Sequence, residues 1–269
     1  MAENITKKDL KNQIKDNFST HTSMYDEFAN IQKLAAEKMI ASLQPWMDII
    51  PHGPILEIGC GTGFVTELML QLFPNRDIFV TDASYEMVKV CEQKMYEKEL
   101  VTDRVKFGVL DGDELKETQK YALIISGFTA QWFKDAMLAS YAMVDALKPG
   151  GLLLFSFPGD HSFSQWKAMC QDLDYPYTGN KLPEEDRLVV QLSMKPGFVD
   201  SFSEIVPERY DSVPDFFRSL KKIGAGTPTN DKQLSNAQMR KLINYWTQKY
   251  PDIVEVDYQL VYIAFQKND

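Results

Sequence analysis

The chain has 269 residues, 44% of them hydrophobic, and a formal net charge of −9 at pH 7. Such a length holds one large domain or one domain with a sizeable insertion, and the composition is that of a globular protein with a real core. The acidic balance argues against general nucleic-acid binding, no apolar run reaches the length of a membrane span, and the three scattered cysteines (Cys60, Cys91, Cys170) suit a reducing cytoplasm better than a disulfide framework or a zinc site.

Residues 1–45 carry two helical patterns, the second closing near Pro45. The first nine residues are charged and lack an apolar targeting segment. Lys7, Lys8, Lys11 and Lys15 read as a solvated helix face.

From Ile55 to Phe157 short apolar runs alternate with helical patterns. The expected strands are Ile55–Ile58, Ile78–Thr81, Val105–Val109, Ala122–Ser126 and Leu152–Phe157. Glu86–Glu97, with Met87, Cys91 and Met95 at helical spacing, is one of the helices between them. Lys148-Pro149-Gly150-Gly151 reads as a turn into the fifth strand. Alternation of this kind implies a parallel sheet covered on both faces, with ligands beyond the C-terminal strand ends.

The first strand runs into Glu57-Ile58-Gly59-Cys60-Gly61-Thr62-Gly63. Glycines at alternate positions allow a tight strand-to-helix turn and let a ligand touch backbone. The spacing departs from the dinucleotide fingerprint, because the third glycine falls at Gly63 where that pattern, counted from Gly59, would need it at Phe64. A carboxylate at the loop entrance would repel a pyrophosphate, whereas a ligand bearing cationic groups and no phosphate, such as S-adenosylmethionine, fits. Asp82 lies 19 residues past Gly63, at the tip of the second strand, where a carboxylate can take both hydroxyls of a ribose.

After Phe157 come a helical stretch to about Leu173, a Pro/Tyr/Gly loop at 175–181, and strand patterns at Val199–Val206 and Val254–Phe265. Between those two strands Val213–Ile223 and Ser235–Tyr250 are helical in pattern. The expected fold is therefore α/β: a doubly wound, mostly parallel seven-stranded sheet of Rossmann-like form. The N-terminal helices and the helical insertion between the last two strands would roof the ligand site. We expect one domain, with N-terminal helices at 1–45, a cofactor core at 46–158 and acceptor-side elements at 159–269.

The glycine loop, the acid at Asp82 and the strand rhythm resemble the class I S-adenosylmethionine-dependent methyltransferases from about Ile40 to Phe157. A narrower resemblance spans nearly the whole chain. Phe18 with Tyr25–Gln32, Ser126–Trp132, Phe216–Ala225 and Asp257–Tyr262 are similar to segments of the malonyl-[acyl-carrier protein] O-methyltransferases of biotin synthesis. Two segments depart from that family: Phe155-Ser156-Phe157-Pro158-Gly159 replaces the usual Phe-Ser-Thr-Phe-Gly, and Lys181 stands where an aromatic residue is expected.

The resemblance implies methyl transfer from S-adenosylmethionine to the free carboxylate of a malonyl thioester on acyl-carrier protein, without metal, nucleic acid or membrane. Glu57, Gly59, Gly61 and Gly63 would hold the methionine portion, Asp82 the ribose, and Ala83 would border adenine. Asp111, with Gly112 offering backbone, would bind the adenine amino group, Asp113 being the competing register. Ser126 and Gly127 would border the sulfonium, Tyr25 would line the transfer site, and Gln131 and Trp132 would shape the acceptor side. A carboxylate acceptor is already ionised at neutral pH, its reference pKa being about 4, so no general base is needed. Lys221 first, and Arg218 second, are the cations expected to hold it; the same basic segment could instead meet an acidic carrier protein. Two other readings stay open: a small-acid methyltransferase of the trans-aconitate type, and a non-catalytic cofactor-binding protein. Oligomeric state is unreadable from the chain.

Overall fold

The structure is a computed structural model that describes residues 28–223 and 232–269. Helix α1 (Asn30–Ala41) precedes the alternating elements β1 (Ile55–Ile58), α2 (Phe64–Leu72), β2 (Ile78–Asp82), α3 (Tyr85–Glu97), β3 (Val105–Val109), β4 (Tyr121–Gly127), α4 (Ala136–Ala146) and β5 (Leu147–Pro158). Then follow α5 (Ser164–Asp172), α6 (Glu185–Leu192), β6 (Gly197–Tyr210), α7 (Val213–Lys222), α8 (Asn236–Lys249) and β7 (Val254–Lys267). The seven strands form one sheet in the order β3-β2-β1-β4-β5-β7-β6. β1, β2, β3, β4 and β5 pair in parallel, and β7 lies antiparallel to β5. This is the doubly wound, mostly parallel sheet that the sequence predicts.

The described residues divide into two compact units: residues 30–158, 183–204 and 260–269 form one, and 159–182, 205–223 and 232–259, with Phe28 and Ala29, the other. In the first, strands β1, β4 and β5 are buried on both faces, which is why they read as continuous apolar runs rather than alternating ones. Leu56, Ile58, Ile124, Leu153, Phe155, Phe157 and Ile263 build the core on one face with residues of α4 and α6. The opposite face carries Glu57 and Gly127; a Cβ on Gly127 would lie 2.7 Å from Val65 of α2 and 3.3 Å from Met39 of α1.

The second unit is built on aromatic rings. Trp166 of α5 makes edge contacts with Phe163, Tyr177, Phe216 and Phe217, and Phe216 packs against Trp246 of α8. The Tyr210 and Tyr258 hydroxyls meet at 2.9 Å. Lys249 of α8 reaches Asp172 of α5 at 2.6 Å.

Two local expectations are corrected. Residues 148–151 do not form a separate turn: β5 begins at Leu147, and the irregularity is absorbed by Gly150, whose φ is +69°, and by a register shift opposite Tyr121 and Leu123. Helix α6 was not expected; it begins just past Pro183 and buries Leu188 and Leu192. No helix among the described residues is long and apolar enough to cross a membrane.

Candidate active site

The chain leaves β1 through a loop whose glycines at 59, 61 and 63 have φ of +78°, +52° and +98°. Only glycine enters that region without strain, yet the surroundings differ at each position. A Cβ at Gly59 would run into the Thr129 side chain, and one at Gly63 would come within 3.0 Å of Met95 and 3.1 Å of Cys91. At Gly61 it would meet nothing within 4 Å, so the backbone there faces open space. The loop hangs from the tip of β2: the amides of Gly59 and Cys60 both donate to the Thr81 carbonyl, at 2.8 and 2.9 Å.

Asp82 is the other end of this frame. Its carboxylate accepts the Gly61 amide at 3.0 Å on one oxygen and the Ser84 amide at 2.8 Å on the other. These bonds fix the orientation of a group whose oxygens each offer two acceptor sites. Ser84 then caps α3, accepting the Met87 amide at 3.2 Å. Ala83 sits between the two, partly buried.

Glu57 is fully buried in β1. Thr66, on the first turns of α2, donates to its Oε2 at 2.7 Å, and Thr81 donates to its backbone carbonyl at 2.5 Å. Oε1 is buried and accepts no hydrogen bond. Burial pushes the carboxyl pKa up to about 8; the Thr66 hydroxyl pulls it down and the Asp82 charge adds to the rise. A buried carboxylate with one oxygen unsatisfied is a receptor for a donor, and a cationic donor would relieve it most.

Beyond β3, Asp111 caps a single turn, accepting the Asp113 amide at 3.1 Å. The Asp113 carboxylate accepts the Lys134 amide at 3.2 and 3.3 Å. Gly112 is buried where a Cβ would strike Phe133 and Ile58. At the end of β4 the Ser126 hydroxyl donates to the Ile58 carbonyl at 3.0 Å, so it serves to tie β4 to β1, while Gly127 lies on the face that carries Glu57. Gln131 and Trp132 stand in a one-turn helix, Ala130–Trp132. The Gln131 amide donates to the Phe128 carbonyl at 2.7 Å and its Oε1 is buried without a partner.

The first unit thus gathers Glu57, Gly59, Gly61, Gly63, Asp82, Ala83, Asp111, Gly112, Ser126, Gly127, Gln131 and Trp132. Arg218 and Lys221 fall in the second unit. Arg218 is paired with Asp215 one turn away, and Lys221 is exposed on α7. Tyr25 lies outside the described residues. Sequence reasoning missed Thr66 and Thr129, whose parts depend on Glu57 and Gly59 facing them in space. No cluster of three or more potential metal ligands occurs among the described residues.

A family model described as a methyltransferase domain matches residues 56–153. Over 263 residues the chain is 32% identical to Malonyl-[acyl-carrier protein] O-methyltransferase 2 of Ilyobacter polytropus, a match covering 96% of this chain and 98% of that protein. It is 30% identical over 262 residues to the Malonyl-[acyl-carrier protein] O-methyltransferase of Priestia megaterium, covering 90% and 92% of the two chains. Among solved structures it resembles the YcgJ protein of Bacillus subtilis, with a TM-score of 0.60 at 17% identity over 87% of this chain and 98% of that one. That last likeness speaks to the fold alone.

Proposed function

Because this chain belongs to the malonyl-[acyl-carrier protein] O-methyltransferase family, we propose that it methylates the free carboxylate of a malonyl thioester on acyl-carrier protein, an early step of biotin synthesis. S-adenosylmethionine, when bound, supplies a methyl carbon made electrophilic by a positively charged sulfur.

The residues present fit that donor. The observation that carries the reading is the unsatisfied, fully buried Oε1 of Glu57 at the entrance to a glycine loop whose backbone is open at Gly61. A carboxyl so placed suits an ammonium group, which favours its ionised form, and in that form it would repel a phosphate-bearing cofactor. Asp82, oriented by two backbone amides, supports a role in holding a ribose. Asp111, just past the end of β3, is proposed for the adenine side, with Asp113, whose carboxylate accepts the Lys134 amide, as the competing register. Gly127 and Gln131 are proposed to border the transferring group and the acceptor. Tyr25 is proposed to line the transfer site, where an aromatic face favours a cationic centre. Lys221, exposed on α7, suits contact with an acidic carrier protein.

The protein's task is positional. The acceptor is ionised at neutral pH, so the site must align it, remove competing water and leave its lone pair available. Intact-protein mass spectrometry of malonyl-carrier protein after incubation with enzyme and S-adenosylmethionine tests the reading. A gain of one methyl group, well above that on free malonate or malonyl-coenzyme A, is expected. Equal methylation of free malonate would point to a small-acid methyltransferase, and none on any acceptor would leave a binding protein.

A further inference from the structure

Strand register sets three residues side by side on the face that carries Glu57. Gly127 of β4 pairs with Ser156 of β5, and Ser156 pairs with Tyr262 of β7. Glu57 pairs with Ile125, so this row lies one same-face step nearer the C-terminal ends of β4 and β5 than Glu57. Ligands of open α/β sheets bind at that edge.

Ser156 and Tyr262 are each 1% exposed, and neither hydroxyl has a hydrogen-bond partner. One orphaned hydroxyl in a core is uncommon; two on adjacent strands in one row call for a shared cause. Packing does not require them, because alanine and phenylalanine would fill nearly the same volumes without burying a polar atom. The Tyr262 ring is stacked on Phe202 of β6, with centroids 4.4 Å apart and planes within 13°, which fixes where its hydroxyl can point. Burial first, and then the charge of Glu204, hold that phenol well above its ordinary range, so it remains a proton donor at neutral pH. Glu204 is itself neutralised by Lys38 at 2.6 Å.

We propose that the hydroxyls of Ser156 and Tyr262 hold the acceptor carboxylate, through its non-attacking oxygen, in place of the cation that the sequence led us to expect. The proposal rests on the carboxyl methyl transfer set out above. Neutral donors suit this chemistry. They orient an anion without withdrawing the charge that makes its other oxygen nucleophilic, as a buried lysine or arginine would. The attacking oxygen gains the bond to the methyl carbon as the carbon–sulfur bond breaks, its electron pair staying on sulfur. No proton moves, and Ser156 and Tyr262 only donate hydrogen bonds.

The test compares wild type with Ser156→Ala, Tyr262→Phe and the double variant, using malonyl-carrier protein as acceptor. Each single variant is expected to lose about 10- to 100-fold in kcat/KM, the loss for one hydrogen bond to a charged group. The Kd for S-adenosylmethionine, measured by calorimetry, should be unchanged, and Tm unchanged or higher, since an unsatisfied buried hydroxyl has been removed. Unaltered kcat/KM in both variants would leave only a buried water at the row and overturn the proposal. A lowered Tm with activity falling only as the folded fraction falls would overturn it in favour of a structural role. Failure of the wild type itself to methylate malonyl-carrier protein would overturn the proposed function, and this inference with it.

Discussion

At Glu57, burial and hydrogen bonding pull in opposite directions, and burial wins: the carboxyl pKa stands at about 8. Without a ligand the folded protein therefore holds a proton there at neutral pH, while the unfolded chain, with an ordinary carboxyl, does not. The folded-state value is raised, so stability falls as pH rises from about 4.5 to about 8 and is level above. Glu57→Gln should then be more stable than wild type at pH 9, by roughly 1–4 kcal/mol, with the difference vanishing near pH 5 in paired denaturant titrations. Binding a cationic group runs the other way, because it favours the ionised form. Affinity for S-adenosylmethionine should weaken as pH drops below about 8, by up to about tenfold per unit. Calorimetry in buffers of different ionisation enthalpy should show a released proton; an affinity flat from pH 6 to 8 would contradict this. Much of this was legible in the chain. An acid, three glycines and a second acid 19 residues on form a pattern because local turn chemistry demands them. The partners Thr66 and Thr129 were not legible, since only the folded chain shows what they face.

Among the elements, α3 links local propensity to the site most directly. Its N-cap Ser84 accepts the Met87 amide and also donates its own backbone amide to Asp82. Ser84→Ala keeps that backbone donor but loses the cap. It should cost about 1 kcal/mol of stability and, by loosening the turn that orients Asp82, weaken S-adenosylmethionine binding. Thermal melts and calorimetry on the same variant check both; loss of stability with affinity intact would separate the cap from the site. The strands β1 and β4 were readable because parallel strands buried on both faces form apolar runs, whereas β3, largely uncovered, was readable from its place in the strand–helix alternation. Helix α6 escaped because it is eight residues long, lacks a side-chain cap and follows Pro183 closely, so little periodic signal could accumulate. The opening of β5 escaped for the opposite reason: Pro149, Gly150 and Gly151 signal a turn, but they form an irregular stretch inside the strand, which pairs with β4 at Leu147 and again from Leu152.

For the whole molecule, the alternation of strands and helices gave the class of sheet, but pattern alone does not order seven strands. The structure puts β1 beside β4 and β7 between β5 and β6, with β7, which follows α7 and α8 in the chain, antiparallel to β5. Leu152–Pro158 pair with Leu260–Gln266 in antiparallel register, and most of that stretch of β7 is buried. Deleting residues 260–269 should leave β5 without its neighbour and abolish cooperative thermal unfolding; a sharp calorimetric transition in the truncated chain would contradict this. The same placement bears on birth rather than equilibrium. β7 follows β6 in the chain, yet β6, made earlier, is attached to the described sheet only through it. During synthesis β5 therefore ends the growing sheet with an open edge, and β6 must wait unpaired until residue 267 has cleared the ribosome. The nascent chain is thus expected to lean on chaperones in the interval between the emergence of β6 and that of β7.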